Sequence, residues 1–263
     1  MNRQYLARVK RQLPILGTSG QRTIHKSRLC IVGASGNGSP ACSAAALIGF
    51  GQIDIIDPQL LEPCNCNRFV LGGWKDLGHP KAEICARGIR EIDPSIRVSA
   101  VVDRVETDEG LQALSKADAV ILCVDRNEPR IVVNEYCAEL GKPLLDLGCG
   151  GVIRDGVLRS FGWRASLFMP GHACLECLFL DQQPMRQSHI SYCPLNMQVV
   201  GVGLDLLVAY LTGYREVNVN HIVCDVLAGR ISGLMVSSRD DCPHCGSRTR
   251  RNRTRREDAG RRE

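Results

Sequence analysis

The sequence predicts an α/β protein with a Rossmann-like fold, whose mostly parallel sheet is extended by antiparallel strands. Short apolar runs alternate with helical stretches over residues 1–150, which is the pattern of a parallel sheet covered by helices. In the remainder, turn residues separate further strand-like runs, as in antiparallel hairpins. Two Cys-x-x-Cys pairs also predict a Cys₄ zinc site attached to this fold.

The first half of the chain supplies the parallel sheet. Its apolar runs predict strands over residues 28–33, 52–57, 96–102, 117–125 and 143–147. The segments between them predict helices over residues 40–50, 80–92 and 128–140. Ser39 is expected to open the first of these helices, because a serine oxygen can accept from the free backbone N–H groups of a helix start.

The second half of the chain has a different character. Its predicted elements are, in order, antiparallel hairpins over 152–168, a mobile polar loop over 181–189, an apolar helix over 197–211 and strands over 217–226 and 230–236. Hairpin turns are expected at residues 154–156 and near Gly162, where glycine permits a tight reversal.

Length and charge divide the chain into three predicted parts. Its 263 residues, 44% of them hydrophobic, suffice for one sizeable core. We expect a helical arm over residues 1–28, the main domain with the zinc site over 29–246, and a disordered tail over 247–263. The tail has eight arginines against three acids, which accounts for the net charge of +5. No nucleic-acid partner is expected, because no aromatic residues interleave these arginines.

The expected compartment is the cytoplasm, without a membrane partner. No apolar run approaches the roughly 20 residues that span a bilayer, and the basic N-terminus lacks the apolar stretch of a secretory signal. Fourteen cysteines would suggest disulfides in a secreted protein. Here Cys30 and Cys123 fall in apolar strands, and four others form pairs typical of metal sites, so reduced thiols are expected.

A glycine-rich turn follows the first strand and reads Gly-Ala-Ser-Gly-Asn-Gly over residues 33–38. Small residues there let backbone N–H groups approach a phosphate at the positive end of the next helix. The expected nucleotide-binding positions are Gly33, Ser35, Gly36 and Gly38. Asp57 ends the second strand, where a carboxylate can accept hydrogen bonds from ribose hydroxyls. This unit predicts a nucleotide-binding fold but does not distinguish NAD from ATP.

Charged residues after this unit favour ATP. Asn65, Arg68 and Lys81 follow the second strand, and an arginine and a lysine there would supply positive charge to a triphosphate rather than to a nicotinamide. Asp125 ends a later strand, at the carboxyl edge of the sheet where ligands bind. A carboxylate at that edge can hold Mg²⁺. Each residue alone would more often be a surface ion pair, so their order at successive strand ends is the informative feature.

The two Cys-x-x-Cys pairs consist of Cys174, Cys177, Cys242 and Cys245. Two thiolates at this spacing hold one edge of a tetrahedral ion, and two pairs complete a zinc site. The zinc is expected to be structural, because no coordination position stays open. A single pair could instead be a redox motif, but two pairs favour zinc.

The chain resembles the ThiF/MoeB/HesA adenylyltransferases, relatives of the ubiquitin-activating enzymes, from about Arg8 to Cys245. The motifs that support the resemblance are R-x-x-R-Q at residues 8–12, Asn65 with Arg68, G-x-x-K-A at residues 78–82, and Asp125. The resemblance implies that Arg11 reaches the ATP of the neighbouring subunit in a homodimer. It also implies that Asn65, Arg68 and Lys81 bind the nucleotide and its phosphates, and that Asp125 binds magnesium.

This resemblance implies ATP-dependent adenylation of the C-terminal carboxylate of a ubiquitin-like or sulfur-carrier protein that ends in glycine. Cys193 lies near the point where a cysteine of such enzymes can form a thioester or persulfide, although it can equally be an incidental thiol. Cys64 and Cys66 are its competitors. The alternatives that remain open are adenylation of a small-molecule or tRNA-borne carboxylate, an inactive nucleotide-binding scaffold, and an NAD-dependent oxidoreductase.

Three departures from the family motifs bear on activity. Ser35 replaces the middle glycine of G-x-G-G-x-G, Gln59 stands where the family usually repeats an acid, and Phe69 replaces the glutamine after the arginine. Cys64 and Cys66 also replace a serine and a leucine. Activity is nevertheless expected, because every residue assigned to phosphate or metal is present.

Overall fold

The computed structural model describes residues 1–179 and 190–246. The expected loop over residues 181–189 and the arginine-rich tail over 247–263 lie outside these residues. Helix α1 (Arg3–Arg8) and helix α2 (Leu13–Lys26) occupy the expected N-terminal arm. The division of the chain into three parts stays a prediction.

An eight-stranded sheet forms the centre of the fold and has the predicted mixture of parallel and antiparallel pairing. Its strands are β1 (Arg28–Val32), β2 (Gln52–Ile56), β3 (Arg97–Val101), β4 (Ala119–Leu122), β5 (Leu144–Arg154), β6 (Val157–Phe168), β7 (His221–Asp225) and β8 (Arg230–Leu234). Their order is β3-β2-β1-β4-β5-β6-β7-β8. Strands β1 to β5 pair in parallel, whereas β5 to β8 pair antiparallel. The order reverses between β1 and β4, which is where ligands bind in open α/β sheets.

Helices cover both faces of the parallel strands. The remaining helices are α3 (Gly38–Ile48), α4 (Lys81–Ile92), α5 (Asp108–Lys116), α6 (Asn127–Leu140), α7 (Leu175–Phe179) and α8 (Cys193–Thr212). Helices α3, α4 and α8 bury the larger apolar cluster against one face, and α5 and α6 bury a second cluster against the other. Strands covered on both faces consist of nearly continuous apolar residues, which is why β1, β2 and β4 are recognisable in the sequence.

Helix α8 corrects the expectation that no segment is long and apolar enough to span a bilayer. It has 20 residues and a mean hydropathy of 1.5, which meets that criterion by length and composition. However, 56% of its apolar window is buried, and Val199, Leu206 and Leu207 belong to the core that covers β5 and β6. The expected helix over 197–211 omitted the first turn, in which Pro194 occupies a position that favours proline.

The β5–β6 hairpin confirms one predicted turn and corrects the other. Asp155 and Gly156 reverse the chain with φ angles of 53° and 71°, as expected for a two-residue hairpin turn. Gly162 lies within β6 instead of in a turn. A Cβ at this position would lie 2.0 Å from the carbonyl oxygen of Cys224 on β7, so the glycine permits close approach of two strands.

Two glycines on α8 offer a matched test of its packing. We expect Gly203→Ala to be less stable than Gly201→Ala by about 1–3 kcal/mol, the usual cost of overpacking a core. A Cβ on Gly203 would lie 2.5 Å from Cδ2 of the buried Leu147, whereas a Cβ on Gly201 would have no neighbouring atom within 4 Å. Both changes gain the same helix propensity. Chemical denaturation measures the difference, and equal stabilities would contradict this contact between α8 and β5.

Candidate functional site

The ends of β1, β2 and β4 meet at one edge of the sheet. The N–H of Gly33 donates to the carbonyl of Ile56 at 2.8 Å, and the N–H of Cys123 donates to the carbonyl of Val32 at 2.8 Å. The segments that follow these strands therefore leave the sheet at the same level. Because the strand order also reverses here, these segments surround one crevice.

The glycine turn between β1 and α3 is tightly packed. Gly33 has a φ of +90°, and a Cβ on Gly38 would lie 1.9 Å from the carbonyl oxygen of Gly33, so both positions require glycine. Ser35 is not under this constraint, since Asp155 is the only non-glycine residue with positive φ in the described part of the chain. The serine that departs from the family motif is therefore accommodated without backbone strain.

Ser39 does not open α3 as expected, because the helix begins two residues earlier than predicted, at Gly38, with Asn37 in the N-cap position. The buried hydroxyl of Ser39 instead accepts a hydrogen bond from the N–H of Val70 at 3.2 Å. This bond joins the glycine turn to the loop between β2 and α4, which contains Arg68.

Asp57 lies directly behind the glycine turn and is 4% exposed. Its Oδ2 accepts from the N–H of Ala34 at 2.7 Å, and its Oδ1 accepts from the N–H of Gln59 at 2.8 Å. Burial raises the pKa of this carboxyl, while the two N–H groups and the charge of Lys81 act in the opposite direction. A carboxylate offers about four lone-pair positions, so Asp57 can hold the turn and still accept from a ribose.

Lys81 is the first residue of α4, and its ammonium lies in a buried environment. The residue is 3% exposed, and its Nζ donates to Oε1 of Gln59 at 2.9 Å. Gln59 is the position at which the family usually repeats an acid. A neutral amide accepts the hydrogen bond without cancelling the charge, so the positive charge of Lys81 remains available to an anion.

The loop between β2 and α4 brings Arg68 to the glycine turn. A Cβ on Gly36 would lie 3.1 Å from Cδ of Arg68, and the guanidinium donates to the carbonyl of Cys64 at 2.6 Å. The Oδ1 of Asn65 accepts from the N–H of Glu62 at 3.1 Å inside the same loop, and its expected contact with a nucleotide stays a prediction. Asn65 therefore shapes the loop that positions Arg68.

The remaining departures in this loop have clear environments. Phe69 is 5% exposed and belongs to the main apolar cluster, so the aromatic ring contributes to the core. Cys64 is exposed and Cys66 is half-buried. The thiol of Cys64 contacts Oε2 of Glu62 at 3.6 Å, so an acid lies beside this thiol.

Asp125 lies three residues beyond the end of β4, which stops at Leu122, and the residue is exposed. Its charge adds to the effect of burial in raising the pKa of Asp57, so the two carboxylates are close enough to interact. Mg²⁺ binds oxygen ligands and usually takes one or two carboxylates, with phosphates and water completing its shell. The donors at this edge therefore fit magnesium.

The start of α8 is anchored to the glycine turn. Ser191 Oγ lies 3.1 Å from the Cβ position of Gly36. Asn196 on the first turn of α8 donates to Oδ1 of Asn37 at 2.7 Å and accepts from Ser191 at 3.3 Å. Cys193, the first residue of the helix, is half-buried. These contacts bring the segment that contains Cys193 to the glycine turn.

The four cysteines of the predicted zinc site come together away from this crevice. The sulfur atoms of Cys174, Cys177, Cys242 and Cys245 all lie within 4.8 Å of one another. The Sγ distance is 3.6 Å between Cys174 and Cys242 and 3.3 Å between Cys177 and Cys245. A tetrahedral zinc ion with Zn–S bonds of about 2.3 Å separates its sulfurs by roughly 3.8 Å. The cluster therefore fits zinc.

The two arginines of the N-terminal motif are in different environments. Arg8 donates to the carbonyls of Ala46 and Leu47 at 3.0 and 2.9 Å and pairs with Asp93 at 3.0 Å. Arg11 is exposed in the turn between α1 and α2. Arg8 thus binds within its own chain, and among residues 1–179 and 190–246 no contact joins Arg11 to the crevice.

Several residues beside the site were not predicted from the sequence. Asn37 donates to the carbonyl of Leu147 at 3.2 Å and so joins the glycine turn to β5. Asp146 is fully buried in β5 and pairs with Arg130 and Arg164. The sequence does contain a signal for Asp146, because an acid inside the run Pro-Leu-Leu-Asp-Leu is rarely buried without a partner.

Comparisons with known proteins agree with these observations. The adenylyltransferase and sulfurtransferase MOCS3 of Arabidopsis thaliana is 32% identical over 172 residues, which is 65% of this chain and 35% of that protein. The SAMP-activating enzyme E1 of Haloferax volcanii is 30% identical over 62% of this chain and 57% of its own length. The sulfur carrier protein adenylyltransferase of Thermus thermophilus is 28% identical over 93% of this chain and 92% of that protein.

Escherichia coli MccB has a similar fold, with a TM-score of 0.78 at 20% identity over 94% of this chain and 73% of that chain. The sequence match covers less than two thirds of the length of the first two relatives named above. The sequence pattern of the ThiF family, in contrast, matches residues 8–244. This match extends over nearly the whole chain, and the protein therefore belongs to the ThiF family.

Proposed function

We propose that this protein catalyses ATP-dependent adenylation of the C-terminal carboxylate of a ubiquitin-like or sulfur-carrier protein. Relatives from Thermus thermophilus and Escherichia coli are named adenylyltransferases of a sulfur carrier protein. One observation carries the proposal: Arg68 and Lys81, near the glycine turn, have carbonyl and amide oxygens as hydrogen-bond partners rather than acids. Their positive charge is therefore available to phosphates.

The proposed reaction needs positive charge more than a base. A carboxylate oxygen of the partner attacks the α-phosphorus of ATP, the bond to the bridging oxygen breaks, and pyrophosphate leaves with the electron pair. The attacking carboxylate is already ionised at neutral pH, so no proton has to be removed. The main barrier is the approach of two anions. Arg68 and Lys81 would lower it by placing positive charge where negative charge develops.

The remaining residues would hold the nucleotide and its metal. Backbone N–H groups of the glycine turn, including those at Gly36 and Gly38, would face the phosphates at the start of α3, and Asp57 would accept from the ribose. Asp125 would hold Mg²⁺, which neutralises phosphate charge when bound. E. coli MccB, which has a similar fold, was crystallised with ATP.

Cys193 is the proposed acceptor if the activated acyl group moves to the enzyme. The anchoring of Ser191 and Asn196 beside the glycine turn supports this role, and the half-buried thiol is accessible. Cys64 is its main competitor. A partner adduct that thiol reductant removes should disappear in Cys193→Ala and persist in Cys64→Ala; the opposite pattern would move the acceptor to the nucleotide loop.

An inactive scaffold is the less favoured alternative. Ser35 and Gln59 are the departures that would mark lost catalysis. Ser35 has an ordinary φ, and Gln59 binds Lys81 through a neutral amide, so neither departure strains the turn or adds an acid beside Lys81. Adenylation of a small-molecule or tRNA-borne carboxylate remains an alternative, which is tested by comparing substrates.

We also propose that the protein is cytoplasmic and has no membrane or nucleic-acid partner.

We expect Lys81→Ala and Asp125→Ala each to lower the rate of adenylate formation by about 100-fold or more, as loss of a charge contact in a transition state does. The measurement is incorporation of labelled pyrophosphate into ATP in the presence of the carboxylate partner. Lys75→Ala and Asp103→Ala are controls that remove the same charges from exposed positions elsewhere.

The controls should exchange pyrophosphate at the wild-type rate, and circular dichroism should show all four variants folded. Near-normal exchange in both site variants would remove the catalytic assignment. Exchange that requires a small molecule or a modified tRNA, with no response to a glycine-terminated protein, would replace the proposed partner.

We also propose a homodimer in which Arg11 acts on the neighbouring subunit. The support is the contrast between Arg8, which binds the end of α3 in its own chain, and Arg11, which is exposed. Arg8 is occupied by partners in its own chain, whereas the exposed Arg11 can contact a second copy of the chain.

Complementation tests this trans role. Mixed Arg11→Ala and Lys81→Ala subunits should recover about a quarter of wild-type activity, because half of randomly paired dimers are heterodimers and each has one intact site of two. Mixed Lys81→Ala and Asp125→Ala subunits are the matched control and should recover none, since both residues serve the same chain's site. Equal behaviour of the two mixtures would exclude a trans role for Arg11.

We further propose that Cys174, Cys177, Cys242 and Cys245 bind one structural zinc ion, on the basis of their spacing and mutual distances. Purified protein should contain about one zinc per chain. Cys242→Ser should lower both the zinc content and Tm, by roughly 2–4 °C for each kcal/mol of stability lost. Cys224 lies outside the cluster, so Cys224→Ser should change neither. Wild-type zinc content in Cys242→Ser would disprove the site.

A further inference from the structure

A buried cluster of one carboxylate and two guanidinium groups lies beside the candidate site. Asp146 on β5 is fully buried, and its two oxygens accept hydrogen bonds from Arg130 on α6 and Arg164 on β6. Arg130 is itself only 5% exposed. The three side chains together have one positive charge in excess.

Stability alone does not account for this cluster. Desolvation offsets most of the attraction in a buried ion pair, and apolar residues of similar volume often serve as well. Burial lowers the pKa of Arg130 to about 9 and that of Arg164 to about 10. Both guanidinium groups therefore stay charged at neutral pH, and the excess charge persists in the folded protein.

Arg130 also contacts the loop that contains Asp125. One nitrogen of its guanidinium contacts Asp146, and another donates to the backbone carbonyl of Val124, the residue directly before Asp125. Its Nε is buried and has no hydrogen-bond partner among the described residues. Two bonds, one to β5 and one to the loop, thus fix this side chain.

We infer that Arg130, anchored by Asp146, is a positioning residue that holds Asp125 in the conformation that binds the magnesium of a nucleotide complex. The inference rests on the proposed metal-binding role of Asp125. The bond to the Val124 carbonyl restricts the backbone next to the ligand, and the opposite charges of Arg130 and Asp125 attract each other. Groups that orient a metal ligand in this way typically change metal affinity by about 10- to 100-fold.

The geometry of an arginine is essential to this role. Its planar fork directs two nitrogens in fixed directions, whereas a lysine offers one ammonium on a flexible stem. Arg130→Lys therefore keeps the charge and removes the simultaneous contacts with Asp146 and Val124. Arg164→Lys is the matched control, because Arg164 contacts the same carboxylate, but from β6. There its Cζ lies 3.0 Å from the Cβ position of Gly148 on β5.

The test is calorimetric binding of α,β-methylene-ATP over a range of Mg²⁺ concentrations. Arg130→Lys should raise the Mg²⁺ concentration for half-maximal binding by about 10-fold, with near wild-type binding at saturating Mg²⁺. Arg164→Lys should lower Tm and leave the Mg²⁺ dependence unchanged. In an Asp125→Asn background, Arg130→Lys should add no further shift, because its effect passes through Asp125. If Arg130→Lys does not fold, the neutral pair Arg130→Gln with Asp146→Asn replaces it.

The inference would be overturned by an unchanged Mg²⁺ dependence in Arg130→Lys, by an equal shift in Arg164→Lys, or by a full additional shift in the Asp125→Asn background. Binding is measured without a carboxylate partner. A wild-type protein that binds nucleotide and Mg²⁺ but exchanges no pyrophosphate would therefore contradict the proposed adenylation and leave this inference intact. Nucleotide binding that does not depend on Mg²⁺ would overturn both the inference and the assignment of Asp125.

Discussion

The carboxylate of Asp57 joins the ends of two adjacent parallel strands. Through Ala34 it fixes the residue after Gly33, and through Gln59 it fixes the start of the loop that leads to Arg68 and Lys81. The glycine turn and this loop therefore depend on one buried group. Because a buried carboxylate without such partners would be strongly unfavourable, the two backbone N–H groups and the acid maintain each other's positions.

Charge is distributed unevenly around the crevice. Lys81 and Arg68 are bound by neutral oxygens, whereas Asp146 has two guanidinium partners. Around Asp146 positive charge exceeds negative charge, while at the crevice the described hydrogen bonds of Lys81 and Arg68 go to neutral oxygens and none goes to an acid. A cation that is not hydrogen-bonded to an acid can still bind an anionic ligand, and the burial of Lys81 reduces the screening of that interaction by water. Ser35 and Gln59 are neutral side chains, so these two departures add no negative charge beside Lys81.

The parallel half of the fold was predictable because its strands are buried on both faces and end in recognisable residues. Gly33, Asp57 and Asp125 could be placed at one edge from topology alone. The contacts among side chains could not. Asn65 turned inward to hold its own loop, Ser39 bound Val70 instead of capping α3, and Gly162 served strand packing. Each outcome depends on residues distant in sequence, for which local patterns contain no information.

The cysteine cluster has a consequence for how the second half of the chain responds to its surroundings. Between Cys177 and Cys242 lie 64 residues, which include α8, β7 and the edge strand β8. A metal ion that binds only the folded arrangement stabilises it by mass action, by about 1.4 kcal/mol for each tenfold increase in free metal above the dissociation constant. With the proposed zinc bound, the stability of this part of the fold would rise with the concentration of free metal around the protein.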